Sequence, residues 1–124
     1  MSVVIYHNPA CSKSRETLAL IRASGIEPEI VAYLKVGWTR ELLESLFSAA
    51  GVSAREALRT RGALAGDLGL LDPGAGDDAL LTAMIAHPEL VERPFVRTAR
   101  GTRLCRPPER VHELIDPATP GASS

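Results

Sequence analysis

The sequence predicts an α/β chain: a small mixed β-sheet flanked by helices, with a helical insert between a βαβ half and a ββα half. Three observations carry that expectation. A short apolar run, Val3-Val4-Ile5-Tyr6, leads through a polar turn into a helical pattern and then into a second β-branched run. The middle of the chain has helical spacing and caps. Near the end, two short strand-like runs flank a tight turn at Ala99-Arg100-Gly101, the pattern of a β-hairpin.

Each element has a local cause. Residues 3–6 are short, β-branched and apolar, as a buried strand requires. Residues 12–24 read as a helix that stops at Gly25, the residue that most readily takes a left-handed C-terminal cap. Pro28 leads into a strand over 29–33, and the helical crossover makes 3–6 and 29–33 a parallel pair. Thr39 caps a helix over 40–50, with Gly51 beyond it. Ser53 is placed to cap a short helix over 54–59. Residues 62–76 hold five glycines without a clear period and read mostly as loop. Asp77 and Asp78 open a helix that runs to Ala86 and is stopped by His87-Pro88. Strands at 95–98 and 102–105 precede a last helix over 108–115, opened by Pro107-Pro108. We expect a single domain over 1–116, with the helical insert at about 38–88. Residues 117–124, rich in Pro, Gly, Ala and Ser, form a tail expected to fray.

Composition narrows the function. Net charge is −1 and only 4% of the residues are aromatic, which gives no basis for nucleic-acid or acidic-membrane binding by bulk charge or base stacking. No apolar run approaches the ~18 residues of a membrane span, and the N-terminus lacks the pattern of a signal peptide. The expectation is a cytoplasmic protein, with Cys11 and Cys105 as reduced thiols. No apolar heptad is present, so a monomer is expected. The histidines are scattered and the cysteines far apart in sequence, which gives no zinc-ligand spacing. No phosphate-cradling glycine motif is present either, so no bound cofactor is expected.

The chemistry is concentrated in Tyr6-His7-Asn8-Pro9-Ala10-Cys11-Ser12-Lys13-Ser14-Arg15. Cys11 sits where a strand ends and a helix begins. The first turn of a helix directs unpaired N–H groups and partial positive charge at that point. A thiol there loses its proton more easily than a free one, and the thiolate is the nucleophile. The same N–H groups suit an oxyanion. His7 is placed to modulate the thiolate or a proton transfer, and Ser14 to donate a hydrogen bond to it.

A cysteine ending the first strand and opening the first helix is the arrangement of thioredoxin-like folds. The chain resembles the glutaredoxin-dependent arsenate reductase family within that superfamily, from about Val3 to Ile115. The resemblance rests on His7-Asn8-Pro9-Ala10-Cys11, on Arg59 closing Arg55-Glu56-Ala57-Leu58-Arg59, on Glu92-Arg93-Pro94, and on Gly101-Thr102-Arg103-Leu104-Cys105-Arg106-Pro107. It implies that Cys11 is the nucleophile toward arsenate, with glutathione as co-substrate and glutaredoxin as partner. It implies that Arg59, Arg93 and Arg106 hold the oxyanion, helped by Asn8. Planar guanidinium forks suit tetrahedral anionic oxygens. Arg61, two residues from Arg59, matches the family's register less well. The resemblance further implies a cis Pro94 presenting a backbone edge to a thiol substrate. Ser14 stands where a Cys-x-x-Cys pair would have its second cysteine, so the second thiol must come from elsewhere. Cys105 is read as structural, since strand alternation turns it away from Arg106. The alternatives are a glutathione-dependent thiol oxidoreductase acting on another oxyanion or mixed disulfide, and a non-enzymatic regulator, which the missing second cysteine disfavours.

Overall fold

In the computed structural model, which describes residues 2–116, β1 (Val4–Tyr6) lies in the interior of a four-stranded sheet of order β2-β1-β3-β4. β2 (Glu29–Val31) pairs with it in parallel, Ile5 opposite Ile30. β3 (Phe95–Thr98) pairs with its other edge antiparallel, Ile5 opposite Val96, and β4 (Gly101–Leu104) continues the hairpin. The parallel pair exists because α1 (Ser12–Ala23) carries the chain back across the sheet. The sheet is therefore mixed, as the sequence predicts.

The chain divides into two compact units. One is built from the chain before Leu34 and after Glu92, and holds the sheet; the other is Leu34–Glu92. In the sheet unit, Ile5, Ile21, Val96, Cys105, Val111, Leu114 and Ile115 are all fully buried in one cluster with Val3 and Leu18. Leu18 and Ile21 come from the inner face of α1, three residues apart as one helix face requires. The last three come from the 3-10 turn Pro108–Glu113 and the residues just after it, and α1 packs against that turn. Burial of each large aliphatic side chain contributes about 1.5–3 kcal/mol. This packing fixes the start of α1, and with it Cys11.

In the Leu34–Glu92 unit, α3 (Arg40–Ala50) matches its expected bounds. Thr39 Oγ1 accepts the Leu42 N–H at 3.1 Å, and Gly51 takes the left-handed conformation with φ 69°. Its buried stripe, Leu43, Leu46 and Phe47, faces α5 (Asp77–Ala86). The short helix α2 (Tyr33–Val36) falls where the sequence reading continues the second strand to residue 33.

Three other expectations are corrected, and one is refined. Residues 54–59 are not a helix: after one turn, Leu58 bridges Val91 and the Arg59 N–H donates to the Leu90 carbonyl at 2.7 Å. The glycine-rich segment is mostly loop, as read, with one helical turn in it, α4 (Leu64–Asp67). The last helix is a 3-10 turn, Pro108–Glu113, shorter than 108–115. The final strand begins at Gly101, so Ala99-Arg100 alone form the hairpin turn. The expected tail, 117–124, lies outside the described residues.

Candidate active site

Cys11 is the N-cap of α1, with extended backbone and a partly exposed side chain that makes no capping bond. The preceding turn is held from within. The Cys11 N–H donates to the Asn8 carbonyl at 3.0 Å, and Asn8 Oδ1 accepts the Ala10 N–H at 2.9 Å. Asn8-Pro9 reads as a turn signal in the sequence, and this is the turn. Arg15, one helical turn beyond Cys11, donates from Nη1 to the Pro9 carbonyl at 2.9 Å and ties the helix back to the loop.

His7, Asn8 and Ser14 form one buried cluster. The Ser14 hydroxyl lies 2.6 Å from His7 Nδ1 and accepts the Asn8 N–H at 3.1 Å. Ser14 is fully buried in the first turn of α1. A serine in a first turn reads as an ordinary polar position; here it bolts the loop to the helix. Burial holds His7 below its ordinary pKa, and the Arg22 and Arg15 charges lower it further. The ring is thus neutral near pH 7.

At Cys11 the balance of effects goes the other way. Burial pushes the thiol up, but hydrogen bonds from the Ser14 and Lys13 backbone N–H groups and from the Arg93 side chain outweigh it. The net result is a thiol below its ordinary value, already biased toward the thiolate. Ser14 therefore acts on the sulfur through its main chain, while its hydroxyl serves His7 and Asn8.

Arg93 reaches the sulfur from two residues before β3. It is 7% exposed, and the Arg93–Pro94 peptide bond is cis. Arg106, just past β4, donates from Nη1 to the Arg93 carbonyl at 2.9 Å. Between them the Cys105 N–H donates to the Pro94 carbonyl at 2.9 Å. Cys11, His7, Asn8, Ser14, Arg93, Pro94 and Arg106 all belong to the sheet unit. Arg59 belongs to the other unit, where its Nη1 lies 3.9 Å from Glu92 Oε1 and its backbone pairs with Leu90. Arg61 is exposed. The link from Arg106 to the Arg93 carbonyl is absent from the sequence reading, because no local pattern signals a contact across thirteen residues.

Cys105 is fully buried in the core cluster, and burial pushes its thiol up to about 12 from an ordinary 9.0. In the unfolded chain that proton leaves first. Cys105 therefore contributes stability that is present below pH 9 and is lost as the pH rises toward 12. Urea unfolding at a series of pH values is expected to show wild-type stability falling more steeply across that window than Cys105→Ala. Parallel slopes would contradict the assignment. Among the described residues no cluster of three or more His, Cys, Asp or Glu is placed to hold a metal ion. Among the described residues no helix is long and apolar enough to cross a membrane.

Residues 6–114 match the family model described as the ArsC family. The chain belongs to the ArsC family. It is 52% identical over 115 residues to an arsenate reductase of Rhizobium meliloti (strain 1021), covering 93% of this chain and 82% of that one. It is 46% identical over 123 residues to an arsenate reductase of Escherichia coli (strain K12), covering 99% and 87%. Among solved structures, an arsenate reductase from Vibrio cholerae superposes with a TM-score of 0.88 at 46% identity, covering 93% of this chain and 98% of that one. The ArsC fold is thioredoxin-like, in agreement with the expectation from the sequence.

Proposed function

We propose that this ArsC protein reduces arsenate to arsenite, with Cys11 as nucleophile, glutathione as co-substrate and glutaredoxin as the partner that restores the enzyme. The observation that carries the reading is the Arg93 guanidinium on a thiol already biased toward the thiolate at a helix N-terminus. An anionic nucleophile and an anionic substrate repel, and a fixed guanidinium beside the sulfur offsets that repulsion. The relatives named arsenate reductase supply the substrate.

The chemistry follows from the sulfur. Cys11 Sγ attacks arsenic, and one arsenate oxygen leaves as water after protonation. Glutathione thiolate then attacks Cys11 Sγ. The sulfur–arsenic electron pair stays on arsenic, which falls from the pentavalent to the trivalent state. A mixed disulfide between Cys11 and glutathione remains, and the glutaredoxin thiol exchanges it away. Ser14 in place of a second cysteine is why that thiol comes from outside. Arg93, Arg106 and Asn8 are the proposed oxyanion ligands, and the resemblance makes Arg59 a candidate for the same role. Pro94 is the proposed edge for glutathione. A monomer in the cytoplasm, where glutathione is abundant and thiols stay reduced, suits this cycle.

The test is NADPH consumption coupled through glutathione reductase, with glutathione and glutaredoxin present. Turnover is expected only when arsenate, glutathione and glutaredoxin are all supplied. A folded protein that turns over without arsenate, or fails with all three, would sink the reading.

A further inference from the structure

Arg106 is, by resemblance, an oxyanion ligand, yet its guanidinium already has an occupation without any oxyanion. Nη1 donates to the Arg93 carbonyl oxygen at 2.9 Å. That carbonyl heads the Arg93–Pro94 bond, with Pro94 alone between it and β3. The other side of the same corner is fixed by the Cys105 N–H on the Pro94 carbonyl, and beyond it by the pairing of Phe95 with Leu104. The β3 end and the β4 end are thus clamped at two successive carbonyls, one held by a backbone donor and the other by the Arg106 side chain. Arg93 is nearly buried and its side chain bonds the Cys11 thiol, so where its main chain is held sets where its guanidinium lies.

We propose that Arg106 is a positioning residue for the nucleophile: by gripping the Arg93 carbonyl it keeps the Arg93 guanidinium on Cys11 Sγ before any substrate arrives. A guanidinium carries five N–H donors, so one can hold the carbonyl while the remaining fork faces an oxyanion. Arg93 is the charged side chain that bears on the Cys11 thiol, and Arg106 acts on the sulfur through it. The inference rests on Cys11 being the nucleophile but not on arsenate being the substrate.

The test is a double-mutant cycle read without arsenate. The rate of Cys11 alkylation by iodoacetamide is measured near pH 7 in wild type, Arg106→Met, Arg93→Met and the double variant. Methionine keeps an unbranched stem and removes the fork. Cys105 is buried and stays silent. Arg106→Met is expected to slow alkylation about threefold to tenfold in the wild-type background and by little or nothing once Arg93 is gone. Arg106→Lys, which keeps a donor and a charge, is expected to recover part of the rate and serves if the methionine variant folds poorly. Unchanged alkylation in Arg106→Met would make Arg106 a ligand alone and overturn the proposal. Equal slowing in both backgrounds would also overturn it, since Arg106 would then act independently of Arg93. Because alkylation needs no oxyanion, failure of arsenate turnover leaves this result standing, and the reverse also holds.

Discussion

Cys11→Ser is expected to lose arsenate turnover entirely, by about 10⁴-fold or more, while the protein becomes no less stable. The two halves of that result have different causes. A serine hydroxyl is not ionised at neutral pH, so the attack on arsenic lacks its anion. Even a serine–arsenate ester could not pass on to a disulfide, so no route for the electron pair remains. Stability behaves differently because Cys11 is the N-cap of α1 and its side chain makes no capping bond. Serine is among the preferred N-caps, and its oxygen can accept one of the orphan N–H groups of the first turn, worth about 0.5–2 kcal/mol. The chain thus keeps a weaker cap where it needs a nucleophile. The pH dependence should change as well. The folded state holds the Cys11 thiol below its ordinary 9.0. Its contribution is therefore fully present above pH 9 and is lost as the pH falls through the folded value. Urea unfolding of Cys11→Ser should lack that slope. Retention of more than a small percentage of wild-type turnover in the coupled assay would reject Cys11 as nucleophile.

The legible part of this site is the part built by local chemistry. A strand end, an Asn-Pro turn and a helix start are all written within residues 3–15, so Cys11 at the N-cap follows from nearest neighbours. The hairpin is legible for the same reason: two short strand-like runs and a glycine between them settle it locally. Residues 54–59 show where such reasoning stops. Their start signal is sound, since Ser53 Oγ accepts the Glu56 N–H at 3.0 Å and Glu56 Oε1 accepts the Ser53 N–H at 2.9 Å. A helix nevertheless fails to propagate. The Arg59 N–H is drawn to the Leu90 carbonyl and the Glu92 N–H to the Ala57 carbonyl, partners more than thirty residues away. The glycine-rich segment is similar. Arg55 donates to the carbonyls of Leu70, Asp72 and Ala75, so one distant guanidinium organises a loop that has no period of its own. Ser14 is the mirror case: its identity is local, but its hydroxyl finds its partners at His7 and Asn8, seven and six residues back.

Arg93→Met is expected to separate two tasks that one guanidinium performs. Removing it takes away a hydrogen bond and a positive charge that both hold the Cys11 thiol down. Burial and the backbone N–H groups of Ser14 and Lys13 remain, so the thiol moves toward higher pKa but the helix N-terminus still favours the thiolate. The curve of alkylation rate against pH should shift to higher pH for that reason. Where the pH is high enough to ionise the thiol in both proteins, the rates should converge. The variant can even lead slightly there, because a more basic thiolate is the stronger nucleophile. Arsenate turnover should behave otherwise. Raising the pH restores the thiolate but not the cation that faces the oxyanion, and kcat/KM should stay about 10²–10³-fold below wild type across the range. Arg93→Lys should recover much of the alkylation curve, since a charge suffices for the sulfur, and little of the turnover, since an ammonium cannot reproduce a planar fork. If turnover of Arg93→Met recovered fully at high pH, Arg93 would serve the sulfur alone and the oxyanion would be held elsewhere.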